Sequence, residues 1–543
     1  MLSIKNMTSK SRWIPCLIVA LTAVFRLIFL AIKPPHFDEG VNGWFIDQMA
    51  HTGYYHYDPA NYHGPLHFYI LFVFQLLFGR NLWAIRLPIV IISTLTVYLV
   101  TLFDRFLDRR TCWIAAIAMA VSPGFEFYGR YAIHESEFVL FLMLFVWGAA
   151  GVRKFGTVQY LWAAAMGITG MVLTKETYII HFVAFALAVP SLLILEKFSP
   201  SSGVVSPAKD TYSLRQLCIV GAVSYGLIIF FYSGNFLDFS GLHGMISTFS
   251  EWVKTGKKGN GHEKTEYDFV LATLPHTVIG KTTLLGKKSL TLNYYWFALM
   301  ARYEWPVLLA IVFSPLYAWR KNNRFIRYLA IYGWGALAAY TLVNYKTPWC
   351  IITIAWPFFF VFGDCMKDLL DKINKPFVVS LITILLTSLL AWSVRLNFFH
   401  YVDEDEPYVY VQTFNDVNKL TVPLFKLVAE DPANYNLKGS ILLSSYHPLP
   451  WLLGDFTNLG WYDEDDSKPD DMDADFLVVD DSRVEDVEKT LKQDYFTEEF
   501  HLRASMDPAK LYLNAKKFSG IFPNRKADFT PQKPAQPGAG KAP

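Results

Sequence analysis

Asp38 and Glu39 stand side by side, two residues after His36, just beyond the first long apolar run of the 543-residue chain. One carboxylate within hydrogen-bond reach of a hydroxyl is a general base. A second beside it orients a substrate or holds a metal ion. The plain alternatives are a solvated loop, or a helix N-cap, since "DEGVNGWFIDQMA" can open an interfacial helix. Arg130, Tyr131 and Glu135 share a later polar break, "GRYAIHE", while Lys175 lies in "TKET" and Lys346 in "NYKTPW". Cations in such polar breaks between apolar runs are candidate phosphate contacts. Their structural alternatives are an ion pair of Arg130 with Glu135, one of Lys175 with Glu176, and a snorkelling Lys346 beside Trp and Tyr.

The elements that must position these residues are apolar. The chain is 53% hydrophobic and only 18% charged, a composition of polytopic membrane proteins rather than soluble domains. Formal net charge is +2, so nothing points to a nucleic-acid partner. All five cysteines lie in or beside apolar runs without metal-ligand spacing, which excludes a Cys-based zinc site and structural disulfides as expectations. Residues 13–32 read as an uncleaved first span, with Arg26 inside it needing a polar partner such as Asp38.

Further spans are expected at 87–103, 111–123, 137–152, 160–173, 177–195, 214–233, 303–319, 325–343, 349–363 and 376–395, about eleven in all. The run "PLHFYILFVFQLLFG" (65–79) makes only about 22 Å of helix. Charge assigns its status. If it does not cross, the basic loops 104–110, 152–154, 319–327 and 367–375 all face the cytoplasm; if it does, all four fall outside, against the positive-inside rule. It is therefore read as non-crossing. HFDEG, YHGP, GRYAIHE, TKE, the loop 234–302 and NYKTPW are then left together on the outer face, with the C-terminal part. In that loop, His262 and Glu263 are candidate metal ligands in a Gly/Lys-rich stretch.

The expected fold is a polytopic α-helical membrane domain (1–396) followed by a small extracytoplasmic α/β domain (397–522) and a disordered Pro/Ala/Gly/Lys-rich tail (523–543). Within the second domain, 408–413, 440–445 and 475–480 read as strands and 414–430 and 484–493 as helices.

Several motifs carry a resemblance. "HFDEG" resembles the acidic motif of lipid-linked-sugar glycosyltransferases with the GT-C fold, nearest their protein O-mannosyltransferase and aminoarabinose-transferase branch. "YHGPLHFYIL" is similar to that branch's His-Pro-Pro-Leu segment, and "GRYAIHESEFVLF" to its Arg-Tyr-x-x-x-acid segment. "TKET", "NYKTPW", "PYVYVQTFND" and "YHPLPWLLGDF" look like hallmarks of the flippase-activity-associated proteins. The resemblance implies sugar transfer from a polyprenyl-phosphate donor to a lipid, glycan or protein acceptor on the outer face of the cell membrane. A non-enzymatic flippase component for lipid-linked sugars is the competing reading. In the first, Asp38 is the base, with Glu39 orienting substrate. His63, Arg130, Tyr131, Glu135, Lys175 and Lys346 bind substrate, and Asp38, Glu39 and Glu135 are candidate ligands for a divalent metal. Two positions depart from the pattern: Glu135 replaces an Asp, and Gly64 follows His63 where relatives have Pro or Lys.

The chemistry agrees with that reading. A phosphate-linked sugar leaves without a general acid, so what remains is deprotonating the acceptor and stabilising the phosphate charge.

Overall fold

The computed structural model describes residues 9–61, 63–201, 211–258, 295–321, 323–343, 346–463, 472–504 and 506–531. His262, Glu263, Asn322 and Asn344 lie outside them. The chain divides into two compact units: Met1–Ile32 with Gln48–Tyr410, and Lys33–Asp47 with Val411–Pro543. The segment carrying Asp38 and Glu39 thus belongs with the C-terminal part, not with the helices that flank it in sequence.

The first unit is helical. Helix starts follow local capping chemistry: Asn81 accepts from the Ala84 amide to open α4 (Leu82–Leu102), and Asn323 accepts from Phe325 and Ile326 to open α14 (Arg324–Leu342). Among the described residues, six helical stretches are long and apolar enough to cross a membrane: Leu82–Arg105, His134–Phe155, Tyr178–Phe198, Leu214–Tyr232, Pro348–Lys372 and Lys375–Phe399. Trp13–Leu27, Leu66–Phe78 and Val158–Thr174 are shorter apolar helices. The expected count of about eleven is not reached on length and apolarity. The 111–123 candidate is α5 (Arg109–Ala120), a helix of 12 residues. The 303–319 candidate is interrupted by Glu304, which separates α12 (Tyr295–Tyr303) from α13 (Trp305–Arg320).

The four basic loops meet at one end of this unit. Lys154 donates to the carbonyl of Arg105, Arg110 pairs with Asp371 at 2.9 Å, and Lys321 pairs with Asp364 at 2.8 Å and Asp368 at 2.9 Å. The polar turns before α7 (His134–Phe155) and after α8 (Val158–Thr174) lie at the other end, because both helices run the length of the unit. Helix α3 (Leu66–Phe78) begins there too, with His67 paired to Glu137 in the first turn of α7 at 2.8 Å. Only residues 79–81 separate the end of α3 from α4, which starts its run to the basic end. The 65–79 segment therefore does not pass from one end to the other, as the charge pattern requires.

Helices α7 and α8 form a tight hairpin. A Cβ on Gly148 would lie 2.2 Å from the Ala164 nitrogen, and one on Gly167 would lie 2.5 Å from the Phe145 nitrogen. Small residues let the two backbones touch, the usual means of helix association in an apolar solvent.

In the second unit, β1 (Gly439–Leu442), β2 (Leu459–Trp461), β3 (Phe476–Asp480), β4 (Tyr495–Phe500) and β5 (Ala509–Asn514) form one sheet in the order β2-β1-β3-β5-β4. The first three are parallel and β5 and β4 antiparallel. Leu420 and Leu424 of α17 (Val417–Glu430) share a buried core with Ile441, Val478 and Leu511. The segment 408–413 is not a strand. Tyr408 is buried against Tyr303 in the first unit, whereas Gln412 and Thr413 make single bridges to His36 and Arg503 in the second. A stretch shared between two units cannot join one sheet. Residues 523–531, assigned by composition to a disordered tail, include a bridge from Phe529 to Tyr495 and an Arg525–Glu498 ion pair at 2.7 Å.

Candidate active site

In the second unit, the acidic motif opens α2 (Phe37–Thr52). Glu39 is fully buried and turns back, its Oε2 accepting from the His36 amide at 2.9 Å. This is the reciprocal half of a capping box, and it ties the carboxylate to the helix start. The Asp38 amide donates to His36 Nδ1 at 3.1 Å, while the Asp38 side chain keeps 35% of its surface exposed. Of the two acids, Asp38 alone is presented outward. Asp38, the second helical residue, is thus not the N-cap, and the capping contact at this end comes from Glu39 at the third position.

"YHPLPW" packs directly on "HFDEG". A Cβ on Gly40 would sit 2.3 Å from Pro448 Cα, so only glycine admits this approach. The Phe37 and His447 rings meet edge to face at 5.6 Å. Arg503, buried, lies over the Phe37 ring and donates to Ser445 Oγ at 2.7 Å and to the His447 carbonyl. Burial lowers the Arg503 pKa to about 10, opposed by the negative charge of Asp38. Burial, then the Arg503 charge, push His447 down to about 4, so it is neutral near neutral pH. No sequence motif pointed to Arg503. Its only local signal is a lone arginine among apolar neighbours in "HLRASM".

The first unit holds a second polar cluster at the end opposite the basic loops. Lys175 pairs with Glu135, both buried, and His63 pairs with Glu176 at 3.0 Å. The His134 ring is tilted against those of His63 and His67, with ring centroids 4.5 and 4.0 Å away. His67, His134 and Glu137 went unread in the sequence, although His63/His67 and His134/Glu137 have helical spacing. Gly64 has a backbone reason for replacing Pro or Lys: its amide donates to the Thr174 carbonyl at 3.1 Å, and a Cβ there would lie 2.2 Å from the Leu173 oxygen.

The cations divide by what they hold. Arg130 is buried, donates through Nη2 to the carbonyls of Ile28 at 2.6 Å and Phe29 at 3.1 Å, and lies 4.7 Å from the Phe398 ring centroid. Its Nε and Nη1 have no partner among the described residues, and Glu135 is not its ion-pair partner. Lys346 donates to the carbonyls of Tyr340 at 2.9 Å, Thr341 at 3.1 Å and Val343, closing the C-terminus of α14. Tyr131 is buried among Phe127 and Tyr128. Arg26 pairs with Glu126 at 3.2 Å, not with Asp38. Glu304 is buried, its Oε1 accepting from Ser122 Oγ and the Gly124 amide, each at 2.7 Å. Among the described residues no group of three or more His, Cys, Asp or Glu side chains is arranged to hold a metal ion. Of the candidate metal ligands, Glu135 is engaged by Lys175 in the first unit, while Asp38 and Glu39 belong to the second.

Comparison with known proteins adds the fold. Residues 62–205 match the family described as dolichyl-phosphate-mannose-protein mannosyltransferase. No curated protein sequence matches the chain. In structure, the chain is similar to ArnT from Cupriavidus metallidurans bound to undecaprenyl phosphate, with a TM-score of 0.56 and 11% identity over 94% of this chain and 99% of that one. It is likewise similar to the apo state of the same protein, with a TM-score of 0.54 at 11% identity and the same coverage. The narrower resemblance to the flippase-activity-associated proteins has no counterpart among these matches. By fold, the chain is similar to ArnT along nearly its whole length, and residues 62–205 carry the mannosyltransferase family match.

Proposed function

We propose that the protein is a membrane glycosyltransferase that takes a sugar from a polyprenyl-phosphate donor and passes it to an acceptor hydroxyl on the outer face. The observation that carries this reading is the fold likeness, along nearly the whole chain, to a protein crystallised with undecaprenyl phosphate. Asp38 is the general base: it is the acid of the pair left outward when Glu39 caps α2. Arg130 is the phosphate contact, since two of its buried N–H groups lack partners among the described residues. Lys175 and Lys346 hold the architecture around it. The basic end of the first unit faces the cytoplasm by the positive-inside rule, which puts the N-terminus there and the C-terminal domain outside.

The test uses the full-length protein in liposomes with a polyprenyl-phosphate-linked hexose and an envelope-lipid extract as acceptor source. Release of polyprenyl phosphate should accompany labelling of an acceptor, and Asp38→Asn should slow both by about a hundredfold or more. Unchanged turnover in a folded Asp38→Asn protein removes Asp38 as the base. Translocation of the lipid-linked hexose without sugar transfer would favour the flippase reading instead.

A further inference from the structure

A cavity of about 700 Å³ opens at the basic end of the first unit, far from the polar cluster around His134. Its walls come from α7, α9 (Tyr178–Phe198) and the start of α14. The lining changes character along its depth. Arg153, Lys154 and Arg324 stand at the helix ends, while Phe145, Phe182 and Phe185 line the interior. From Arg153 back to Phe145 along α7 is about 12 Å, and from Leu192 to Phe182 along α9 about 15 Å. The cavity is a slot with positive charge at one end only.

The charge there is not fully compensated. Arg324 pairs with Glu196 at 3.1 Å, and Lys154 donates to a backbone carbonyl. Arg153 is exposed and has no ion-pair partner among the described residues. The N-terminus of α14 adds its partial positive charge at the same level. The slot also opens sideways where the helices present apolar side chains outward: Val189 is half exposed, and Leu193 beside it on α9 is similar.

We infer that this slot binds an anionic membrane phospholipid, with its phosphate among Arg153, Lys154 and Arg324 and one acyl chain running inward between α7 and α9. A zwitterionic lipid brings a second cation to a rim that already holds Arg153, Lys154 and Arg324, and a soluble anion leaves the apolar walls wet. An anionic amphiphile satisfies both, and a lateral opening admits it from the surrounding leaflet. The volume falls within the ~300–1,000 Å³ usual for ligand cavities. This site is independent of the proposed transfer reaction.

The experiment is native mass spectrometry of the full-length protein extracted from vesicles of phosphatidylcholine alone, or with phosphatidylglycerol in equal parts, or with undecaprenyl phosphate added. Wild type should retain about tenfold more phosphatidylglycerol than phosphatidylcholine. That preference should vanish in Arg153→Ala/Arg324→Ala, which removes the head-group contacts. Retention should also fall in Ala149→Phe/Ala186→Phe, which fills the slot and leaves the charges in place. Phosphatidylglycerol should raise the thermal midpoint of wild type and of neither double variant; the midpoints in phosphatidylcholine alone show whether the variants fold. Equal retention of the two phospholipids, unchanged preference in the charge variant, or displacement of phosphatidylglycerol by undecaprenyl phosphate would overturn the assignment.

Discussion

The guanidinium carbon of Arg503 lies 4.6 Å from the centroid of the Phe37 ring, and Phe37 is the residue immediately before Asp38. A planar cation stacked on the first residue of α2, with its fork fixed on Ser445 and His447, sets where that helix begins. Arg503 is thus a positioning residue for Asp38. Arg503→Lys keeps the charge but loses both the stack and the fork. We expect kcat to fall by about tenfold or more with KM for donor nearly unchanged. A change confined to KM would make Arg503 a substrate contact instead.

Glu39 and Asp38 should separate in mutagenesis. Glu39→Gln keeps an oxygen for the His36 amide, so turnover should stay within about tenfold of wild type. Glu39→Ala removes the cap and should destabilise the protein by about 0.5–2 kcal/mol in thermal unfolding. Loss of turnover in Glu39→Gln comparable to that in Asp38→Asn would show that both carboxylates take part in the chemistry.

The Lys175–Glu135 pair has a different signature. Removing either partner strands a buried charge, and Lys175→Met alone should cost about 3–5 kcal/mol. Lys175→Met with Glu135→Leu should recover most of that stability, because two apolar side chains replace two ions. Additive losses in the double-mutant cycle would mean the two side chains are not coupled.

Acid should weaken the C-terminal unit through His447. Its folded pKa, about 4, lies below the ordinary 6.5, so between these values the unfolded chain binds a proton that the folded chain does not. Stability is therefore lost as pH falls from about 6.5 towards 4 and levels off below it. His447→Gln should flatten this part of the thermal midpoint against pH curve. Parallel curves for the two proteins would place the acid sensitivity elsewhere.

Sidedness can be read by labelling. Cysteines introduced at Asp58 and Asp431 should react with a membrane-impermeant maleimide in intact cells, whereas those at Asp108 and Lys372 should react only after lysis. All four positions are exposed in the fold. Reaction at Asp108 in intact cells would invert the orientation and with it the outer-face assignment.

Much of this was legible because membranes constrain sequences strongly. The charge of four short loops set 65–79 apart from the expected spans, and those loops do meet at one end. The motif around Asp38 was legible for its residue types, but not the division of labour inside it. Which of two adjacent acids caps a helix depends on where α2 starts, and one residue decides that. Arg503 was invisible because its partners, Phe37 and Ser445, are distant in sequence. The strands β2, β4 and β5 were missed for a related reason. "YFTEEF" and "AKLYLN" carry mixed polar patterns, and pairing in the sheet, rather than local propensity, makes them strands.

The glycine contact between α7 and α8 makes that hairpin a gauge block. Its backbones touch near Gly148 and Gly167, and the lengths of helix beyond that point fix how far Glu135 and Lys175 reach. An α-helix turns about 100° for each added residue, so one alanine inserted into α8 after Gly170 would swing Lys175 away from Glu135 while leaving the contact whole. Spacing along this strut, more than the identity of any residue on it, keeps the two buried charges facing each other.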